Sequence, residues 1–69
     1  MSNQIHQNNL KHYRMLRNLT QERIVTALRL KSTNRFSRWE AGKAYPSVIN
    51  ALRIAKLLEV SVEDLYNLK

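Results

Sequence analysis

Apolar positions recur along the chain in short bursts at helical rather than strand spacing. Leu10, Tyr13 and Leu16, with Met15 beside them, form the first burst, which stops at Asn18, a residue that tolerates a left-handed helix end. Leu19 and Thr20 open the second: Thr20 can cap a helix, and Leu19 and Ile24 hold the two positions of a hydrophobic staple. Ile24, Ala27 and Leu28 supply its apolar stripe. Ser32 reads as the cap of a third helix, with Phe36 and Trp39 inward and Gly42 as its end. Tyr45-Pro46-Ser47 is a loop and a cap, followed by a longer apolar helix through Val48, Ala51, Leu52, Ile54, Ala55 and Leu58. Val60 with Leu65, and Ser61 with Asp64, then repeat the pairing of staple and cap. No segment alternates with period two, and nothing repeats. The expected fold is all-α, a compact set of five short helices in a single domain over residues 9–69. Residues 1–8, polar and rich in Asn and Gln, are expected to fray.

Composition narrows this. The chain has 69 residues, one Gly, one Pro and no Cys. Neither a disulfide framework nor a thiolate metal site can staple so small a fold, so an economical helical core or dimerisation must supply its stability. No apolar run approaches the roughly 20 residues of a membrane span. The start, MSNQIHQNNL, lacks the apolar core of a secretory signal. A cytoplasmic location, nucleoid-associated in a bacterium or encoded by a phage, is expected.

Charge changes the picture most. The net charge is +7. Residues 1–45 hold nine bases against two acids, Glu22 and Glu40, whereas residues 46–69 hold three of each. A basic segment beside a neutral one is the footprint of a polyanionic partner, and nucleic acid fits better than a membrane surface because no helix opposes a wide apolar face to a basic one. On a helical wheel Phe36 and Trp39, with Glu40 obliquely, share one side of the third helix. Asn34, Ser37, Arg38 and Ala41 take the other, with Thr33 at its edge. Asn and Arg read adenine and guanine by paired hydrogen bonds in a major groove, and small neighbours let the backbone approach. Taken alone, the face reads first as an ordinary solvated surface, since polar outward faces are universal.

The run LTQERIVTAL…STNRFSRWEAGKAYPSVINALRIAKLLEVSVEDLY resembles the Cro/repressor-type (Xre-like) helix-turn-helix family from Leu10 to Tyr66. The resemblance rests on separate pieces in order: Leu19-Thr20-Gln21-Glu22, Ser37-Arg38-Trp39-Glu40, Gly42-Lys43 with Pro46-Ser47, Ile54-Ala55-Lys56, and Val60-Ser61 with Leu65. It implies a five-helix domain whose second and third helices bind duplex DNA. It implies base contacts from Thr33, Asn34 and Arg38, with Ser37 close by. Gln21 would contact phosphate and brace the recognition helix, and Gly42 and Lys43 would grip phosphate through loop amides and side chains. Arg23 and Arg35 are added to this phosphate set; a phosphate would explain the positive charge of Arg23 near a helix start, where simple solvent exposure is an equal reading. Tyr45 has two readings, covering the core edge or donating its hydroxyl to phosphate. Arg14 and Glu40 match a structural ion pair between the first and third helices.

Departures from the family pattern are local. Its usual glycine between the second and third helices is replaced by Arg29-Leu30-Lys31, one residue longer than common. That extra residue can supply the bend without a left-handed glycine, and can also slide the recognition helix along its axis. Asn18 and Glu59 replace two further glycines, and Glu59 is the harder to account for. Arg23 stands where a capping-box Glu is frequent.

Other chemistry is poorly represented. His6 and His12 are off the spacing that ligates metal from one helix face, and no nucleophile-base-acid set occurs. No enzyme activity, metal, cofactor or small-molecule ligand is expected. Trp39 reads as core rather than a stacking platform. Ile49, Leu57, Tyr66 and Leu68 are core or the seam of a homodimer, with the seam preferred. The expected function is a sequence-specific transcriptional regulator, a repressor reading an inverted repeat as a homodimer. The alternative is an interaction module on the same fold, such as an antitoxin-like binder of a protein partner.

Overall fold

Five helices appear in the computed structural model, which describes residues 6–68: α1 (Leu10–Leu16), α2 (Gln21–Leu28), α3 (Thr33–Glu40), α4 (Val48–Leu58) and α5 (Val62–Tyr66). There is no strand among the described residues. Side-chain caps start three of the helices. Thr20 Oγ1 accepts from the Arg23 amide at 3.1 Å and Ser47 Oγ from the Asn50 amide at 3.2 Å. Ser61 and Asp64 form a complete capping box, each side chain accepting from the other's amide. Each such cap stabilises its helix by about 1 kcal/mol. Ser32 holds the expected cap position with an extended backbone, but its hydroxyl accepts no amide.

Every helix ends in a left-handed residue: Asn18, Arg29, Gly42, Glu59 and Asn67. At the first four, that residue and the next one donate back into the last turn, satisfying carbonyls the helix leaves open. After α2, for example, the Arg29 amide bonds Thr26 O and the Leu30 amide bonds Val25 O. The bend between α2 and α3 is therefore left-handed after all, made by Arg29 rather than by the extra residue. Glu59 is accounted for in the same way. A non-glycine residue there costs about 1 kcal/mol. Leu19, Leu30 and Val60, the residues following three of these turns, offset that cost by packing against the core.

All five helices contribute to one core. Leu10, Ile24, Phe36, Ile54, Leu58 and Leu65 are fully buried, and Trp39 nearly so. Burying one such side chain stabilises the fold by about 1.5–3 kcal/mol. The inward rows differ from the expected stripes at several points. In α2 Val25 is buried and Ala27 exposed. In α1 Met15 and Leu16 face solvent, because Leu10 and Arg14 point inward with Tyr13 beside them; Arg17, just past the helix end, reaches back to Leu58 O. In α4 the row nearest α2 and α5 is Ile54, Ala55 and Leu58; Val48 and Leu52 lie on the flank and are 75% and 54% exposed. Of the four residues assigned to core or seam, Ile49, Leu57 and Leu68 are exposed and Tyr66 is partly buried.

The polar start reaches the end of α3. Met1 to Ile5 lie outside the described residues. Residues 6–8, expected to fray with them, are tied to the loop after α3: the His6 amide bonds Gly42 O at 3.0 Å, and Asn8 Nδ2 bonds Trp39 O at 3.0 Å.

Candidate nucleic-acid interface

One carboxylate organises the region. Glu40, at the end of α3, accepts from Arg14 Nε on α1 and from Gln21 Nε2, the first residue of α2, at 2.8 Å. The Arg14 and Glu40 side chains are 12% and 7% exposed, so the pair is largely desolvated. Arg14 also donates to Leu19 O at 2.8 Å, just ahead of the α2 cap. Three elements are thus bolted together at one point, which fixes α3 relative to α2. A Gln amide carries two N–H groups, so one remains for another acceptor while the first holds Glu40.

The remaining face of α3 is solvent-facing. Asn34, Ser37 and Arg38 are exposed and Thr33 is half-buried. Because Glu40, the one acid of α3, is turned inward and paired, no negative charge interrupts this surface. Arg35 is exposed as well, with its guanidinium carbon 5.5 Å from the centroid of the Trp39 ring. Such a contact is worth about 0.5–1 kcal/mol at an exposed site and directs the side chain along the helix flank. Trp39 itself is 3% exposed and meets Phe36 edge to face.

The loop after α3 distributes its donors differently from the expectation. Gly42 is buried, with its amide donating to Trp39 O at 3.1 Å, and the Lys43 amide donates to Arg38 O at 2.9 Å. Both backbone donors are consumed within the helix end, leaving Lys43 its exposed side chain alone. The amides of Ala44 and Tyr45 have no acceptor among the described residues. Tyr45 is 67% exposed, with its ring stacked on that of His6 at a centroid distance of 3.9 Å. Arg23, in the first turn of α2, is exposed, and only its backbone amide takes part in the Thr20 cap.

Two basic residues of the first segment are structural. Arg14 serves Glu40, and Arg17 Nε donates to Leu58 O at 3.1 Å, capping α4 from outside. No local sequence signal marks Arg17, because its acceptor is a backbone carbonyl 41 residues away. His6 and Asn8 were missed for the same reason.

Tyr66 lies beside Tyr45 and His6 on the far side of this loop. Its hydroxyl is buried without a partner among the described residues. Burial, and secondarily the nearby Tyr45, push its phenol above the usual value of 10.0. No helix of the described residues is long and apolar enough to cross a membrane, and no cluster there could hold a metal ion.

The helix-turn-helix family pattern matches residues 10–65. An uncharacterized HTH-type transcriptional regulator of Methanocaldococcus jannaschii is 42% identical over 59 residues, covering 86% of this chain and 88% of that protein. An HTH-type transcriptional activator of Enterococcus faecalis, BcrR, is 36% identical over 56 residues, covering 81% of this chain. The match spans 27% of that protein's length.

Proposed function

The chain belongs to the helix-turn-helix family, and from that premise we propose that it is a transcriptional regulator that reads duplex DNA through the major groove. The observation that carries this is the acid-free outward face of α3, held in place by the inward Glu40. Thr33, Asn34, Ser37 and Arg38 reach base edges in this reading. Gln21, Arg23, Arg35 and Lys43 contact phosphate, and the backbone share of that contact moves from Gly42 to Ala44 and Tyr45. The protein acts as a two-fold dimer on an inverted repeat, with half-sites about one helical turn apart. Support for the dimer comes from the exposed Val48, Ile49, Leu52 and Leu68, on a segment with no net charge. Blocking transcription is the simplest consequence of occupying a promoter; the activator named among the relatives is a far longer protein.

Selection from a random duplex pool at near-physiological salt tests this. The expected product is an inverted repeat. Enrichment of no sequence by folded protein would overturn the reading in favour of a protein-interaction module, such as an antitoxin-like binder, using the same apolar face.

A further inference from the structure

We propose that residues 6–8 form a strap that positions the phosphate-facing side of the loop after α3, with His6 and Asn8 as its positioning residues. The inference rests on the DNA-binding reading above, and goes beyond the family pattern, which begins at Leu10.

The strap bonds a run of carbonyls at the end of the recognition helix. Asn8 Nδ2 donates to Trp39 O at 3.0 Å and more weakly to Glu40 O at 3.5 Å. The His6 amide donates to Gly42 O at 3.0 Å, and His6 Nε2 lies 3.1 Å from Ala44 O. A carbonyl only accepts, so Nε2 is the protonated nitrogen in this contact. The strap is anchored in turn. Asn8 Oδ1 accepts from the Leu10 amide at 2.9 Å, and the Asn9 amide donates to Leu65 O at 2.7 Å.

Peptide geometry gives these bonds a consequence on the opposite side of the loop. In a trans peptide the C=O of one residue and the N–H of the next point in opposite directions. Holding Ala44 O against His6 therefore aims the Tyr45 N–H away from the strap. That amide and its Ala44 neighbour are loop donors left without an acceptor among the described residues. The Tyr45 ring, stacked on His6 with an interplanar angle of 10°, further limits rotation of the segment. Ordering these donors before DNA arrives removes an entropy cost that binding would otherwise carry. The strap thus sets affinity through phosphate without touching a base.

Two His6 variants separate the hydrogen bond from the ring stack. His6→Phe keeps an aromatic ring on Tyr45 but lacks the Nε2 donor; His6→Gln places an amide donor at a similar reach but lacks the ring. Binding to a fluorescent duplex of random sequence is measured across a salt series. His6→Phe is expected to bind about tenfold more weakly, the loss typical of one hydrogen bond to a charged group. Its slope of log K against log salt should stay that of wild type, because the lost contact is a neutral amide that releases no counterion. His6→Gln should recover most of the affinity. Loss of folded protein alone lowers the active fraction, read from the end point of the titration, and leaves the affinity of the folded remainder unchanged. Asn8→Ser, whose hydroxyl can still accept from the Leu10 amide but is too short to donate to Trp39 O, should weaken binding in the same direction as His6→Phe without adding charge.

Wild-type affinity in both His6→Phe and Asn8→Ser would overturn the strap alone. So would His6→Gln binding as weakly as His6→Phe. A folded wild type with no salt-dependent duplex binding would overturn the strap together with the DNA-binding reading.

Discussion

On α3 the solvent meets Asn34, Ser37 and Arg38; on α4 it meets Val48, Ile49 and Leu52. Both helices bury an inward row in the same core, Phe36 and Trp39 from one and Ile54, Ala55 and Leu58 from the other. Folding needs only that row, which leaves the opposite face open to other demands. On α3 the open face is polar and basic, within a segment of net charge +7; on α4 it sets Val48, Ile49 and Leu52 beside Arg53 and Lys56, within a segment of net charge zero. A polyanion suits the first and a protein surface the second. The two faces divide recognition between charge and burial.

The largest expected effect breaks the mounting of the polar face. Glu40→Ala leaves the Arg14 guanidinium desolvated and unpaired and releases Gln21, so stability should fall by about 3 kcal/mol in denaturant titrations. A loss below about 1 kcal/mol, the range of surface pairs, would show that this ion pair does not hold α3. Next comes the face itself. Arg38→Ala should relax preference at one base position at a cost of about 1–3 kcal/mol, whereas Lys43→Ala should weaken every duplex alike. Identical sequence profiles for Arg38→Ala and wild type would remove Arg38 from the reading surface.

The neutral segment offers a gain instead. Tyr66→Phe removes a buried hydroxyl that has no partner among the described residues, and should stabilise the protein by about 1 kcal/mol, raising Tm by about 4–8 °C. The same variant carries a pH test. Because the native state holds the Tyr66 proton more tightly than the unfolded chain, its contribution is constant below about pH 10 and is lost as pH rises through the raised native value. Tyr66→Phe should lose less stability between neutral and alkaline pH than wild type. The smallest effect sharpens the contrast between turns: Arg29→Gly relieves a left-handed residue but adds freedom to the unfolded chain, for a net gain of about 0.5 kcal/mol by thermal unfolding.

Five helices, three side-chain caps and most of the core were legible because each depends on residues within one or two turns of one another. Thr20 with Arg23, Ser47 with Asn50 and Ser61 with Asp64 are local pairs. The outward set on α3 was legible for a similar reason, since a wheel places Asn34, Ser37 and Arg38 whatever surrounds the helix. The exposed flank of α4 was not. Val48 and Leu52 are as apolar as their buried neighbours, and only the placement of α2 and α5 selects which side of the helix is covered. The loop's open donors were not legible either, because the sequence marks a glycine without showing where its amide points.

By itself, then, the sequence determined the helices, their starts, the charge asymmetry and the polar face of α3, all consequences of near-neighbour chemistry and period. Tertiary structure alone decided the long-range ties: Arg17 on the Leu58 carbonyl, His6 and Asn8 on the carbonyls after α3, and the left-handed turn at Arg29, held by Leu30 against the core. The physical reason is that a backbone carbonyl is the same acceptor at every residue. Which side chain reaches it depends on how the chain has folded, and no residue type announces it in advance.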